Sequence, residues 1–299
     1  DILWPHVCVA DFHTLPTPLR PGVQVALAQG EGAVTVKLHS LPHNNQRAFD
    51  DISVERVNWQ SRDGTALEGL LYEQRSSSPS NPLLVHAHGG PAGAFAADRT
   101  AGANSTRYPY RHFLKAGYRV FLPLFRGTLG FGDDFAQANI QKQGEVDIAD
   151  ISSGVRYLLA SHPRVKCPAS DVGIFGGSYG GYLTLRALSK VRADPGQDEP
   201  FRFVAGVAEY GFLHNRWMSY EGGDFTWEDE YVGDSRKFPT RPCKADVFDD
   251  LASVRAPCLL MHGEDDDICP VSQSRVGYNV LRHTAKVPTG LIVYPGEGH

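Results

Sequence analysis

The rhythm of apolar and polar positions changes along this chain. Over 54–61 and 67–73 apolar and polar residues alternate, around Arg62, Asp63, Gly64 and Thr65. Alternation with a period of two marks half-buried strands, and Asp-Gly between two such runs marks a tight turn, so an antiparallel hairpin is expected. A polar, Ser-rich loop follows over 75–81, and then near-continuous apolar runs take over at 82–88, 118–124, 172–175, 203–208, 257–262 and 290–294. Runs of that kind suit strands covered on both faces. Helical patterns lie between several of them, 182–191 among them, and together they predict an α/β class with a doubly wound, mostly parallel sheet.

Residues 1–50 follow a different pattern. Pro5, Pro16, Pro18, Pro21 and Pro42 punctuate short strand candidates such as 34–41. This part is either the end of a preceding β-domain or an irregular arm packed on the α/β unit. No apolar run approaches the roughly 20 residues that cross a bilayer, and no charged-then-apolar leader opens the chain, so a soluble protein without a membrane partner is expected. The chain begins at Asp1 and ends at a histidine of chemical interest, and it is expected to be part of something longer, cut at its C-terminal end.

Composition narrows the partners. At 299 residues and 41% hydrophobic content the chain can bury a large core. Lys and Arg number 29 against 34 Asp and Glu, a net charge of -5, which leaves no basic field to hold nucleic acid or an anionic membrane surface. Cys8, Cys167, Cys243, Cys258 and Cys269 are odd in number and scattered, unlike a disulfide framework or the paired ligands of a zinc site, so mostly free thiols are expected. The sequon at Asn104, Ser105 and Thr106 would matter only in a secreted protein. The compartment stays open, the cytoplasm slightly favoured, and so does assembly into a homo-oligomer.

The strongest chemical signal is IFGGSYGGY, where Gly176, Ser178 and Gly180 form Gly-x-Ser-x-Gly directly after a strand and ahead of a helix. A nucleophile on so sharp a turn needs neighbours without side chains, which would collide with the strand or helix that the turn joins. The rival reading is a serine that merely caps the helix. An alcohol needs a base and an orienting acid, which follow the nucleophile in the order Ser, Asp or Glu, His when the turn has this form. Acid candidates follow the strand that ends at Gly263: Glu264, Asp265, Asp266 and Asp267. The base candidate favoured by position is His299, on a Gly-rich loop past the last strand, over His88 and His262, which sit at strand ends where histidines more often bond to backbone. Gly89 and Gly90 end the first parallel strand, and the Gly90 amide, with that of Tyr179, is placed to receive an oxyanion. No ligand cluster or phosphate-cradling loop calls for a metal or organic cofactor.

These motifs resemble the prolyl oligopeptidase family of serine peptidases, in the branch that holds acylaminoacyl and dipeptidyl peptidases. HGGP at 88–91, FRGTLGFGDDF at 125–135, GGSYGGY at 176–182, HGEDDDICP at 262–270 and PGEGH at 295–299 occur in the family's order. Two positions depart from it: Cys269 stands where a valine is usual and Leu129 where a threonine or serine is. The resemblance implies an α/β-hydrolase fold over 51–299, with Ser178 as nucleophile, Asp266 as the acid, His299 as base, and Gly90 and Tyr179 as oxyanion donors. It also implies a β-propeller ahead of the hydrolase, with 1–50 as its last strands and linker. The implied activity is hydrolysis of short peptides through an acyl-enzyme. Rival activities are a carboxylesterase on the same fold and a noncatalytic binding protein on a disabled one. Family segments like 210–233 border the substrate cleft, so Trp217, Tyr220 and Trp227 become substrate-binding candidates, alongside Phe225, Tyr231 and the acids Glu221, Asp224, Glu228, Asp229 and Glu230. The same residues would also suit an inserted helical excursion with a solvated acidic face. Arg126, Asp147 and Asp150 are expected to form structural ion pairs.

Overall fold

The computed structural model describes residues 8–11, 26–28, 33–35, 37–40, 51–95, 108–191, 201–222, 226–233 and 244–299. Four short strands come first: β1 (Cys8–Asp11), β2 (Ala26–Ala28), β3 (Ala33–Thr35) and β4 (Lys37–Ser40). They form two antiparallel pairs, β1 with β4 and β2 with β3. The sequon at Asn104, with Phe225, Asp224 and Cys243, lies outside the described residues.

Eight further strands make one sheet. They are β5 (Ile52–Gln60), β6 (Ala66–Gln74), β7 (Leu83–His86), β8 (Arg119–Leu124), β9 (Val172–Gly177), β10 (Ala205–Glu209), β11 (Cys258–Gly263) and β12 (Thr289–Tyr294). Their order across the sheet is β5, β6, β8, β7, β9, β10, β11, β12. β5, β6 and β8 pair antiparallel, and every neighbour from β8 to β12 pairs parallel. The expected hairpin is β5–β6. Its turn is closed by the Ser61 amide on Thr65 O at 2.8 Å and by Asp63, which accepts the Thr65 amide at 3.0 Å. Gly64 supplies the φ of 85° that the bend requires.

The apolar runs of β8 and β9 are strands covered on both sides, every residue of each being buried, whereas β10 is partly exposed and β12, expected to be buried as well, has no buried residue. Successive side chains alternate between two cores. Val120, Leu122 and Leu124 of β8 and Phe175 of β9 join Tyr110 and Leu114 of α1 (Tyr110–Lys115) on one face. Phe121 of β8 and Val172 and Ile174 of β9 join the larger core on the other, with α3 (Val146–Ser161), α4 (Tyr179–Lys190) and α7 (Ser272–Asn279). Burying one such side chain contributes roughly 1.5–3 kcal/mol. The indole N–H of Trp59 would be orphaned in this core, but it donates to Ser153 of α3 at 2.9 Å.

Shorter helices α2 (Asp133–Gln137), α5 (Asn215–Gly222) and α6 (Thr226–Tyr231) lie in the connections. Helix α4 begins three residues earlier than its apolar pattern suggests, directly after Ser178. Among the described residues no helix is long and apolar enough to cross a membrane, and no cluster of His, Cys, Asp and Glu is arranged to hold a metal.

Candidate active site

The site is built at the carboxyl ends of parallel strands, where side chains on loops converge. Ser178 connects β9 to α4 with φ 59° and ψ -125°. A non-glycine residue at that φ is strained, and the fold pins it. The Ser178 amide donates to Glu209 O of β10 at 3.0 Å, and its carbonyl accepts the amides of Gly181 and Tyr182. The side chain makes no capping bond to the helix. Instead its Oγ lies 2.9 Å from His299 Nε2.

The small neighbours have a sharper reason than the sequence suggests. A Cβ on Gly176 would stand 2.1 Å from Ala87 O, and one on Gly180 would stand 2.0 Å from the same atom. The obstacle they share is the backbone just past β7, which presses into the turn from the side.

His299 follows β12, and its Nδ1 lies 2.9 Å from Oδ2 and 3.1 Å from Oδ1 of Asp266. The Asp266 side chain is fully buried, whereas that of His299 is 21% exposed. Burial works against the Asp266 charge. Hydrogen bonds from His262, His299 and the Cys269 amide more than offset it and hold the carboxyl well below the usual carboxylate range. Oδ1 also accepts the amides of Ile268 at 2.9 Å and Cys269 at 2.8 Å. Of the four clustered acids, Glu264 instead faces the exposed Arg275 at 3.5 Å, and Asp266 is the one whose carboxylate meets the imidazole among the described residues.

The two rival histidines are placed otherwise. His262 is buried, with Nε2 2.6 Å from Cys269 O and 3.3 Å from Asp266 Oδ2, and Nδ1 2.7 Å from Ser274 Oγ. It braces the acid. It stands four residues before Asp266, on the other side of the end of β11. His88 is stacked on Phe125 at 4.1 Å and bonded to Thr128 at 2.9 Å, and burial pushes it down to about 4.

Two cavities reach Ser178. One, of about 350 Å³, is lined on the imidazole side by Tyr108, Tyr210, His86, Gly177 and His299, and deeper by Tyr72, Tyr110 and Leu122. The other, of about 200 Å³, is lined by Tyr179, Phe212, Met218, Trp227, Ile268 and Cys269. Gly90 borders both, as Ser178 does, with φ 121°.

A family model described as the prolyl oligopeptidase family matches residues 105–299. The chain belongs to the prolyl oligopeptidase family. Among curated proteins it is similar to the uncharacterized peptidase YuxL of Bacillus subtilis, 26% identical over 256 residues, which cover 82% of this chain and 35% of that protein. It is similar to mouse dipeptidyl peptidase 8, 27% identical over 82% of this chain and 26% of the relative, and to the human acylamino-acid-releasing enzyme, 27% identical over 79% and 31%. It thus spans about a third or less of the length of these relatives. Among solved structures, an acylaminoacyl peptidase in complex with Z-Gly-Gly-Phe-chloromethyl ketone superposes with TM-score 0.71 at 25% identity, over 89% of this chain and 41% of that one. A puromycin hydrolase at 23% identity shares the fold, with TM-score 0.69 over 83% of this chain and 36% of the other.

Within this prolyl oligopeptidase family chain the three aromatic candidates part company. Trp227 is half-buried in the smaller cavity, 6.2 Å from the Tyr179 ring and 5.7 Å from that of Phe212. Trp217 stacks on His214 at 4.5 Å and packs beside Phe248, and Tyr220 is 60% exposed, so neither lines a cavity at Ser178. They share α5 with Met218, whose opposite face supplies the wall instead. Arg126 is a structural cation, as expected, bound to Asp150 at 2.6 Å and Asp63 at 2.6 Å, but Asp147 turns away from it toward Tyr179.

Proposed function

We propose that residues 51–299 are the α/β-hydrolase catalytic part of a serine peptidase acting on short peptides, and that residues 1–50 are the end of a preceding β-propeller with its linker. The observation that carries the reading is the unbroken line of hydrogen bonds from Ser178 Oγ through His299 to Asp266, 2.9 Å at each step. With Asp266 ionised, the imidazole carries its proton on Nδ1 and presents a bare Nε2 to the hydroxyl.

Ser178 attacks the peptide carbonyl while His299 takes its proton. The amides of Gly90 and Tyr179 receive the oxyanion, each worth a few kcal/mol of the barrier. His299 returns the proton to the departing amine, and water admitted by the same route releases the acyl group. The smaller cavity, apolar and soft with Met218 and Cys269 in its wall, accepts the side chain before the scissile bond, with Trp227 as its aromatic side. Relatives named as an acylamino-acid-releasing enzyme and dipeptidyl peptidases support an acylaminoacyl or dipeptidyl preference.

The test is fluorophosphonate labelling of the full-length protein beside Ser178→Ala, followed by turnover of N-acyl-amino-acid, dipeptidyl and short-chain ester substrates. Ser178-dependent labelling with amide turnover is the expected result. Ester turnover alone would replace the peptidase with an esterase, and a folded protein that takes no label would leave a binding role.

A further inference from the structure

On the peptidase reading the acyl half of a substrate occupies the smaller cavity, which leaves the larger one open. In acyl transfer the base that deprotonates the nucleophile later protonates the leaving group, so the leaving group must depart past the imidazole. The cavity that contains both Ser178 and His299 is the one of about 350 Å³; the other reaches Ser178 without His299. A volume near the lower end of the roughly 300–1,000 Å³ typical of ligand clefts suits one large side chain.

Its wall beside the nucleophile has an unusual construction. Tyr210 follows β10 with φ 36°, a bulky residue in a region that such residues rarely adopt. The strain is held by its amide, which donates to Met261 O at 2.6 Å. From there its ring meets the edge of His299 at 4.9 Å and 72°, and its hydroxyl lies 3.0 Å from that of Tyr108. Both hydroxyls rest on Gly177, where a Cβ would stand 2.2 Å from the one and 2.6 Å from the other. The missing side chain next to Ser178 therefore makes room for a pair of phenol groups at the point where a leaving group would pass. Behind them the lining is aromatic with polar tips: His86, stacked on Phe175 at 4.8 Å, then Tyr110 and Tyr72.

Resting on the peptidase reading, we propose that this cavity is the subsite for the first residue after the scissile bond, that it selects a flat aromatic side chain with a polar edge, as in tyrosine, and that the Tyr108 and Tyr210 hydroxyls are its recognition groups. Flat rings pack against its aromatic walls, and each phenol hydroxyl can both donate and accept, which suits a guest with a polar edge.

Aminolysis of the acyl-enzyme isolates this subsite. An ester substrate acylates Ser178 of the full-length protein, and an added amino acid amide then competes with water. The amine nitrogen bonds to the acyl carbon, its proton passes through His299 to Oγ, and the bond from the carbon to Oγ breaks. The ratio of peptide to acid product reports occupancy of the leaving-group side with the acyl side constant. Tyrosinamide is expected to partition better than phenylalaninamide, and both better than glycinamide. Tyr210→Phe and Tyr108→Phe, which keep the rings, are expected to shrink the tyrosinamide to phenylalaninamide ratio by about threefold to tenfold, the usual effect of one hydrogen bond. The ratio is taken within each variant, so a general loss of activity does not disturb it. Labelling of Ser178 together with equal partitioning of all three amides, or with a preference that survives both substitutions, would overturn the subsite alone. Absence of labelling would overturn the peptidase reading and the subsite with it.

Discussion

The phenol of Tyr179 donates a 2.6 Å hydrogen bond to Asp147, 32 residues earlier in the chain. Both side chains are buried. The carboxylate also accepts the amides of Gly144 at 3.1 Å and Ile148 at 2.8 Å, at the start of α3. The residue whose amide is assigned to the oxyanion is thus anchored through its side chain to a second helix.

Asp147 should make the fold sensitive to pH in a defined window. Burial pushes its carboxyl up to about 6, against the hydrogen bonds of Tyr179, Gly144 and Ile148, and the neighbouring Asp150 adds repulsion. Its ordinary value is 3.8. Between the two the folded chain holds more protons than the unfolded one, so the contribution is full below the ordinary value and is lost as pH rises through about 6. It amounts to about 3 kcal/mol. Urea denaturation of the wild type and Asp147→Asn from pH 4 to 7 should show a stability difference that changes by up to that amount; a constant difference would contradict it.

Asp266→Asn should lower kcat by about 10³ to 10⁴-fold with a smaller change in KM, since an amide no longer fixes the Nδ1–H tautomer of His299. The carboxylate is held well below its usual range, so its stabilising contribution is present above the ordinary carboxylate value and disappears as pH falls through the lower folded one. Steady-state kinetics and acid unfolding of the same variant check both halves.

Gly176→Ala and Gly180→Ala should each be severe, because the added methyl meets the Ala87 carbonyl at 2.1 and 2.0 Å and backbone must move. A loss of about 3 kcal/mol or more is expected, together with slower fluorophosphonate labelling of the protein that remains folded. Thermal melts and labelling rates, measured together, separate the two effects.

Asp150→Ala should destabilise without touching the chemistry. Asp150 accepts Arg126 through Nε at 2.9 Å and Nη2 at 2.6 Å, and Ser61 at 2.8 Å, with its own side chain fully buried. Removing one partner of such a pair costs about 3–5 kcal/mol. Denaturant midpoints should fall accordingly, with kcat of the folded fraction retained.

What could be read in advance follows from how local each signal is. The elbow was legible because Gly176, Ser178 and Gly180 act within a few residues of one another, and β8 and β9 because burial on both faces leaves an unbroken apolar run. Tyr210 was not legible: its place beside His299 depends on β10 lying between β9, which leads to Ser178, and β11, which leads to Asp266, a fact of sheet order. The same holds for Asp147, whose charge suggested Arg126 while its position gave it to Tyr179. Trp217 and Trp227 are equally aromatic, and only the direction of their helices decides which one faces the cavity.

The sheet order also has a consequence in time. Ser178 and His299 stand 121 residues apart, and the histidine reaches the hydroxyl only after β12 has docked beside β11 at the sheet's edge. On the proposed reading, a growing chain therefore carries its nucleophile 121 residues before it carries its base. On that reading the serine stays without its base while β10, β11 and β12 are still to be made.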